Sequence, residues 1–201
     1  MKIKNILLAI LLTFSFSFAI EEANIQKDAT IKLEKIMDII KTNKQHNKSD
    51  LSEVFVVLDD FFDLNLMTRV SLGKDQWNAL NDAQKDNFST VFIQKLKSEY
   101  AKKMQLYTDE KIEILNPEKT NNNRVFLPLQ ISAIDGEIYN VLFKFYDTKS
   151  PNGWRVYDVD ILGVSIIQTY RSQLDGVLKR GSFEDLMKRI DTLDSNVTKE
   201  K

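Results

Sequence analysis

The sequence contains no cysteine and one histidine among its 201 residues. The lack of cysteine excludes disulfide bonds, thiolate nucleophiles and thiolate metal sites. His46 lies among polar residues, and without a second histidine neither a zinc-binding histidine cluster nor a Ser-His catalytic pair has its partner residues. The charge balance is also unremarkable, since 28 basic and 29 acidic residues give a formal net charge of −1. Nothing in it favours nucleic-acid binding.

What is present is the composition of an ordinary globular domain. Hydrophobic residues make up 43% and charged residues 28% of the chain, which suits one domain with a sizeable core and excludes global disorder. Residues 1–19 have the features of a secretory signal peptide: Lys2 and Lys4, an apolar run, and Ser17-Phe18-Ala19 as the cleavage site. The alternative is an uncleaved anchor, although the run is short for a bilayer span of about 20 residues. We therefore expect a domain over 20–194 that is free in an extracytoplasmic compartment, followed by a polar tail over 195–201.

The clearest local pattern joins a strand to a helix. Residues Trp154 to Ile161 are rich in β-branched and aromatic side chains and predict a strand. From Val164 onward the apolar residues recur at helical spacing, which predicts one long helix that ends at Gly181. Gly163 lies between them and permits a tight backbone turn. This joint is expected to fix the helix against a sheet.

A change of period after Lys111 marks the start of the sheet region. Ile112 and Ile114 predict a first strand, and 125–134 with 139–146 predict a hairpin. A two-residue loop at 135–136 would put the large side chains of the two strands on opposite faces, whereas a three-residue loop at 134–136 puts them all on one face. We adopt the second register, which pairs Ile131 with Tyr139, Leu129 with Val141, Leu127 with Phe143 and Val125 with Phe145.

Helical periodicity and capping residues predict the remaining elements. Helices are expected over 21–41, 51–62, 63–72, near Trp77, from Asn81 to about Leu106, and from Ser182 onward. Asn81 and Gln84 have the spacing of a capping box, and Pro128 is expected near a sheet edge or a bulge. The fold class is therefore α+β, with mixed helices packed on a four-stranded, mainly antiparallel sheet in an NTF2-like arrangement with additional helices.

Two separated blocks of this sequence resemble a known family. The first runs Trp-Arg-Val-Tyr-Asp-Val from Trp154, then Gly-Val-Ser from Gly163, then Tyr-Arg-Ser-Gln from Tyr170. The second comprises Leu72, Gly73, Trp77, Phe88, Phe92, Leu96, Ala101 and Tyr107. In this order the two blocks resemble the MlaC family, the toluene-tolerance auxiliary components of lipid ABC transporters. The matching segments run from about Phe61 to Ile190.

The resemblance implies a periplasmic carrier that holds a phospholipid with its acyl chains between helices and sheet and needs no further cofactor. It also implies two partners, an inner-membrane ABC transporter with an MCE-domain protein and an outer-membrane lipoprotein complex. The residues themselves leave open a filled core, and with it a non-enzymatic adaptor or chaperone-like protein. The candidate lipid-binding residues are Leu72, Trp77, Phe92, Leu96, Tyr107, Leu129, Val141, Phe143, Trp154, Val164, Ile167, Tyr170 and Arg171.

The polar residues between Asp158 and Arg171 are compatible with structural roles. Arg171 could approach a lipid phosphate, or it could form an ion pair with Asp158 or Asp160. These two carboxylates share a strand face, but metal binding or acid–base chemistry would need further ligands or a substrate site, which the sequence does not show. Ser165 is not part of a nucleophile elbow, because no glycine follows it two residues later. No catalytic residue, no metal site and no enzyme activity are predicted.

Overall fold

The computed structural model describes residues 20–105 and 110–193. The predicted signal peptide and polar tail lie outside the described residues. After a short 3-10 turn, Glu22–Asn24, the helices are α1 (Ile25–Gln45), α2 (Ser52–Phe61), α3 (Leu64–Leu72), α4 (Lys74–Ala79), α5 (Asp82–Gln105), α6 (Ile166–Leu174), α7 (Val177–Arg180) and α8 (Phe183–Asp191). The strands are β1 (Lys111–Ile114), β2 (Glu118–Asn121), β3 (Arg124–Ser132), β4 (Ile138–Asp147), β5 (Trp154–Ile161) and β6 (Val164–Ser165).

The strands form one antiparallel sheet in the order β1-β3-β4-β5-β6, with β2 pairing on the same side of β3 as β1. The register of β3 and β4 sets Leu129 opposite Val141 and Leu127 opposite Phe143. Gly136 has a φ of +88°, and the Ala133 N–H donates to the Glu137 carbonyl at 2.8 Å, so the loop has three residues. The predicted hairpin register is confirmed.

The predicted strand count of four is wrong, because the described sheet has six strands. The two additional strands are β2, whose four residues are all exposed, and β6, which has only two residues. Neither has the alternation of apolar and polar side chains that marks a strand in a sequence. The α+β class and the antiparallel pairing are confirmed, and the NTF2-like arrangement stays a prediction.

Pro128 lies at an interruption of the sheet. On the outer side of β3, β1 pairs up to Leu129 and β2 begins to pair at Phe126. Between them the Leu115 N–H donates to the Pro128 carbonyl at 2.9 Å. Because proline has no N–H to donate, a position beside a break costs the sheet no ladder hydrogen bond. This agrees with the expected position near an edge or bulge.

A bulge in β5 sets the direction of its side chains. Tyr157 and Asp158 together oppose Lys144, so the pairing shifts by one residue along the strand. As a result Val156 and Val159 both lie opposite apolar residues of β4, on the face that packs against the helices. The bulge therefore keeps a continuous apolar face on a strand whose sequence does not alternate strictly.

The predicted long helix after β5 is wrong in two respects. Val164 belongs to β6, and the helix starts at Ile166, where the Ser165 hydroxyl accepts a hydrogen bond from the Gln168 N–H at 3.0 Å. The helix is then divided at Gly176, which has a left-handed φ of +67°. Only glycine adopts this conformation at little cost, so it permits the change of direction between α6 and α7.

Candidate functional site

In the described part of the chain the buried apolar residues form two separate clusters. The larger lies between the sheet and the helices. The smaller joins the second half of α1 to α2 and contains Ile36, Ile40, Leu51, Val54 and Val57. A domain of this size normally has one contiguous core. A division of the core therefore raises the question of what lies between the two clusters.

A cavity of ≈ 290 Å³ lies between them. Its walls come from α1, α2, α3 and α5 on one side, and from the sheet and the start of α6 on the other. The lining residues are Leu33, Ile36, Phe55, Leu58, Phe62, Leu64, Met67, Leu96, Lys97, Tyr100, Met104, Ile112, Leu129, Ile131, Val141, Phe143, Val159, Ile161 and Ile166. All of these except Lys97 and Tyr100 are aliphatic, aromatic or thioether side chains.

The sheet wall follows directly from the strand pattern. Leu129 and Ile131 of β3 alternate with polar or more exposed neighbours, and they face Val141 and Tyr139 across the hairpin. The bulge in β5 adds Val159 to the same face, opposite Phe143. Directly paired residues share a face of a sheet, so the wall is apolar across three strands.

Lys97 and Phe55 form a partition between the cavity and the surface. Both also line a groove of ≈ 750 Å³ on the outer side of α5. The Lys97 Nζ atom lies 2.6 Å from Asp59 Oδ1 and 5.4 Å from the centroid of the Phe55 ring. This arrangement places a positive charge at the margin of an apolar cavity, with its aliphatic stem against the interior.

Tyr100 is the other polar residue of the wall. Its hydroxyl is buried and has no hydrogen-bond partner among the described residues. Burial, with smaller contributions from nearby Tyr170 and Asp158, raises the pKa of the Tyr100 phenol well above its usual value. The Tyr100 side chain is therefore neutral, and its hydroxyl can donate one hydrogen bond at the cavity wall.

The candidate residues predicted from the sequence do not all lie at this cavity. Leu96, Leu129, Val141 and Phe143 are in its wall. Val164 is half-buried on β6, Trp77 lies in a groove on the outer side of α3, and Tyr107 lies outside the described residues. The others pack in the larger cluster away from the cavity lining: Leu72, Phe92, Trp154, Ile167 and Tyr170. A role for these in binding a ligand stays a prediction.

The expected ion pair of Arg171 with Asp158 or Asp160 is not formed in the described structure. Lys144 takes that place, with its Nζ atom 2.9 Å from Asp158 Oδ2 and 2.6 Å from Asp160 Oδ1. Arg171 instead lies exposed on the outer side of α3, against Gly73. A lipid phosphate bound at the cavity would therefore not contact Arg171.

Asp158 organises the joint between β5 and α6. Its carboxylate accepts hydrogen bonds from the Ser165 hydroxyl at 2.8 Å and from the Val159 and Ile167 N–H groups at 2.9 and 3.2 Å. Together with the Lys144 contact, these bonds occupy the carboxylate oxygens with structural partners. Over residues 20–105 and 110–193 no group of three or more His, Asp or Glu side chains is placed to hold a metal ion.

Apart from Leu96, the helical wall of the cavity was not identified from the sequence. The residues that periodicity did not distinguish are Leu33, Ile36, Phe55, Leu58, Met67, Tyr100 and Met104. Each belongs to an apolar stripe of an amphipathic helix, which has the same spacing whether it packs on a core or borders a cavity. Among the described helices, none is long and apolar enough to cross a membrane.

Comparison with known proteins identifies the family. The sequence model of the MlaC protein family matches residues 31–192. The chain belongs to the MlaC family. The predicted resemblance is thus confirmed, and the MlaC match covers every wall of the cavity, from α1 to the start of α6.

A solved structure shows the same fold. It is the phospholipid-binding protein from Ralstonia solanacearum in complex with a phospholipid, and it superposes with a TM-score of 0.71. The match covers 83% of this chain and 94% of that chain at 22% sequence identity. The MlaC-type protein described here therefore shares that fold over most of both chains. No curated protein sequence matches this chain.

Proposed function

We propose that this protein binds a phospholipid and holds an acyl chain of it in the cavity between the helices and the sheet. The observation that supports this most directly is the cavity of ≈ 290 Å³ between the two apolar clusters. A polar ligand would need several convergent donors and acceptors, whereas this wall offers Lys97 and Tyr100 alone among the described residues. Membership of the MlaC family and the fold shared with a phospholipid-binding protein support the same assignment.

The size of the cavity indicates how the ligand fits. A water molecule takes ~30 Å³ of liquid volume and a methylene group is of similar size, so the cavity accommodates on the order of ten methylene groups. Two acyl chains need more room. Because the cavity separates two clusters, we propose that it enlarges when the smaller cluster of α1 and α2 moves away from the sheet, with the packing inside each cluster retained.

Lys97 is our candidate for the head-group contact. Its ammonium group lies at the partition between the cavity and the outer groove, where it pairs with Asp59. A lipid phosphate at this position would compete with the Asp59 carboxylate for the same cation. In this proposal Leu96, Leu129 and Phe143 contact the acyl chains, and no catalytic group is required.

The proposed cellular role is transport of phospholipid across the periplasm, between an outer-membrane lipoprotein complex and an inner-membrane ABC transporter with an MCE-domain protein. Burial energy constrains the mechanism. At ~0.8 kcal/mol per methylene, two chains of roughly 14 buried methylenes each oppose release into water by on the order of 20 kcal/mol. Handover must therefore take place within a docked complex and not through free lipid.

The proposal is tested by lipid analysis of the purified protein. We expect mass spectrometry of organic extracts to find a two-chain phospholipid without added ligand, and delipidated protein to take up phospholipid from vesicles. Protein that neither contains nor takes up phospholipid would contradict the proposal. That result would instead favour the non-enzymatic adaptor or chaperone-like alternative.

A further inference from the structure

A second groove, of ≈ 450 Å³, lies on the side of α3 that faces away from the cavity. Leu64 and Met67 of α3 line the cavity, whereas Leu66, Arg69 and Val70 line this groove. Its other walls are α4 and the exposed side of α6. The residues that complete the lining are Gly73, Lys74, Trp77, Asn78 and Arg171.

The lining of this groove contains three positively charged side chains. Arg69, Lys74 and Arg171 all line it and are all exposed. None of the three side chains takes part in an ion pair or hydrogen bond within the described structure, and the described lining contains no acidic residue. Asp63, Asp82 and Asp86 lie in the wall of an adjoining groove, which Arg69 also lines. The whole chain has a formal net charge of −1, so three unpaired cations in one concave site do not reflect a generally basic protein.

The local backbone positions one of these cations. Gly73 has a φ of +83°, and a side chain there would place its Cβ atom 3.6 Å from Arg171 Nε. The Arg171 guanidinium therefore lies against the backbone between α3 and α4. Trp77, half-buried, supplies an aromatic surface in the same groove. Arginine and tryptophan are the residues that most often dominate the binding energy of protein interfaces.

We propose that this groove is a docking site for an acidic segment of a partner protein. Carboxylates of the segment would pair with the guanidinium groups of Arg69 and Arg171, which match a carboxylate with two parallel N–H donors. An apolar side chain would pack on Trp77. The inference does not depend on the proposed cargo, because α3 separates the groove from the cavity. A bilayer surface suits the site less well, since a groove between helices does not offer a flat contact.

The test compares two charge-reversal variants of the full mature protein. The groove variant is Arg69→Glu/Lys74→Glu/Arg171→Glu. The control is Lys27→Glu/Lys35→Glu/Lys111→Glu, which makes the same change of net charge at exposed positions outside the groove. The probe is a fluorescein-labelled peptide of glutamate with interspersed leucine, measured by fluorescence anisotropy. Vesicles of phosphatidylglycerol are measured in parallel by co-sedimentation.

We expect the groove variant to weaken peptide binding by about tenfold or more and the control to change it by less than about twofold. Binding to vesicles should be equal in the two variants. The proposal is overturned if the wild-type protein does not bind the peptide, if both variants weaken it equally, or if vesicle binding is lost only in the groove variant. Because reversal of three charges could impair folding, the matching glutamine variant is tested too and should also weaken peptide binding.

Discussion

Phe143 and Phe145 provide a matched pair for testing whether the cavity is a ligand site. They are on the same face of β4, and both rings contact Phe61 edge-on, with centroid distances of 5.7 and 5.5 Å. Phe143 lines the cavity, whereas Phe145 is fully buried in the larger cluster and is not part of the cavity wall. The same substitution, phenylalanine to alanine, thus removes the same ring from two different environments.

The expected magnitudes differ between the two positions. In a closed core, loss of a phenylalanine ring costs ~3–5 kcal/mol, and this should apply to Phe145→Ala with or without lipid. In the loaded Phe143→Ala variant an acyl chain can occupy part of the new space. If it buries one or two further methylenes at ~0.8 kcal/mol each, the cost falls by roughly 1–2 kcal/mol relative to the lipid-free variant.

The cavity also predicts a large effect of lipid on the wild-type protein. Acyl chains that occupy this apolar cavity would bury its walls, and they would bind the folded state and not the unfolded chain. Delipidated protein should therefore unfold at a markedly lower urea concentration than loaded protein.

The assay is urea denaturation followed by circular dichroism, with delipidated and reloaded samples of the wild type and both variants, and with bound lipid quantified for each. The dependence of the unfolding free energy on urea concentration must have the same slope in all samples before their free energies are compared. The reasoning is refuted if Phe143→Ala and Phe145→Ala lose the same free energy and lipid changes neither value. Phe143 would then belong to a closed core.

Three further results are expected. Leu129→Trp should fold but bind less phospholipid, as measured by mass spectrometry. Leu127→Trp should strain a closed part of the core and lower the unfolding midpoint. If neither variant bound less phospholipid than the wild type, the result would count against the cavity. Ser165→Ala should leave uptake from vesicles within a few-fold while lowering stability by about 1 kcal/mol through loss of a helix cap, and abolished uptake in a folded variant would show a direct role. Desolvation lowers the pKa of Lys144, but hydrogen bonds to its two aspartate partners outweigh this and hold the pKa above its usual 10.5. The ion pairs of Lys144 should therefore stabilise the protein below pH 10.5, and this stabilisation should be lost as the pH rises above that value. In an alkaline unfolding titration, Lys144→Gln should lack this loss of stability. A profile identical to that of the wild type would contradict the prediction.

The parts of the fold that could be predicted from the sequence are those decided by local rules. The β3–β4 register followed from the requirement that large side chains share a face, with Gly136 in the loop. The capping box at Asn81 and Gln84 was also predicted, and both of its hydrogen bonds are present, at 3.0 and 2.9 Å. Each of these features depends on a few neighbouring residues and one simple constraint.

The features that were predicted wrongly or missed from the sequence also have specific causes. Apolar spacing continues from α6 into α7, so periodicity could not reveal the change of direction at Gly176. β2 has the sequence Glu-Lys-Thr-Asn, which offers no apolar face, and its pairing depends on β3. The cavity could not be predicted, because the apolar stripe of an amphipathic helix has the same spacing whether it packs against protein or against a ligand. Leu129 and Phe143 were identified from the apolar sheet face, but Phe55 and Tyr100 require the packing of α2 and α5.

The two edges of the sheet affect how the protein behaves at high concentration. One edge is divided into two four-residue strands with Pro117 between them. On the other side, β5 is bordered by β6 and by bridges from Ile20 to Gly153 and from Phe62 to Val156. Neither border presents a long unpaired ladder on which a second molecule could add a strand. The described sheet is thus protected against edge-to-edge aggregation, so the protein can reach a high concentration without forming cross-β assemblies through it.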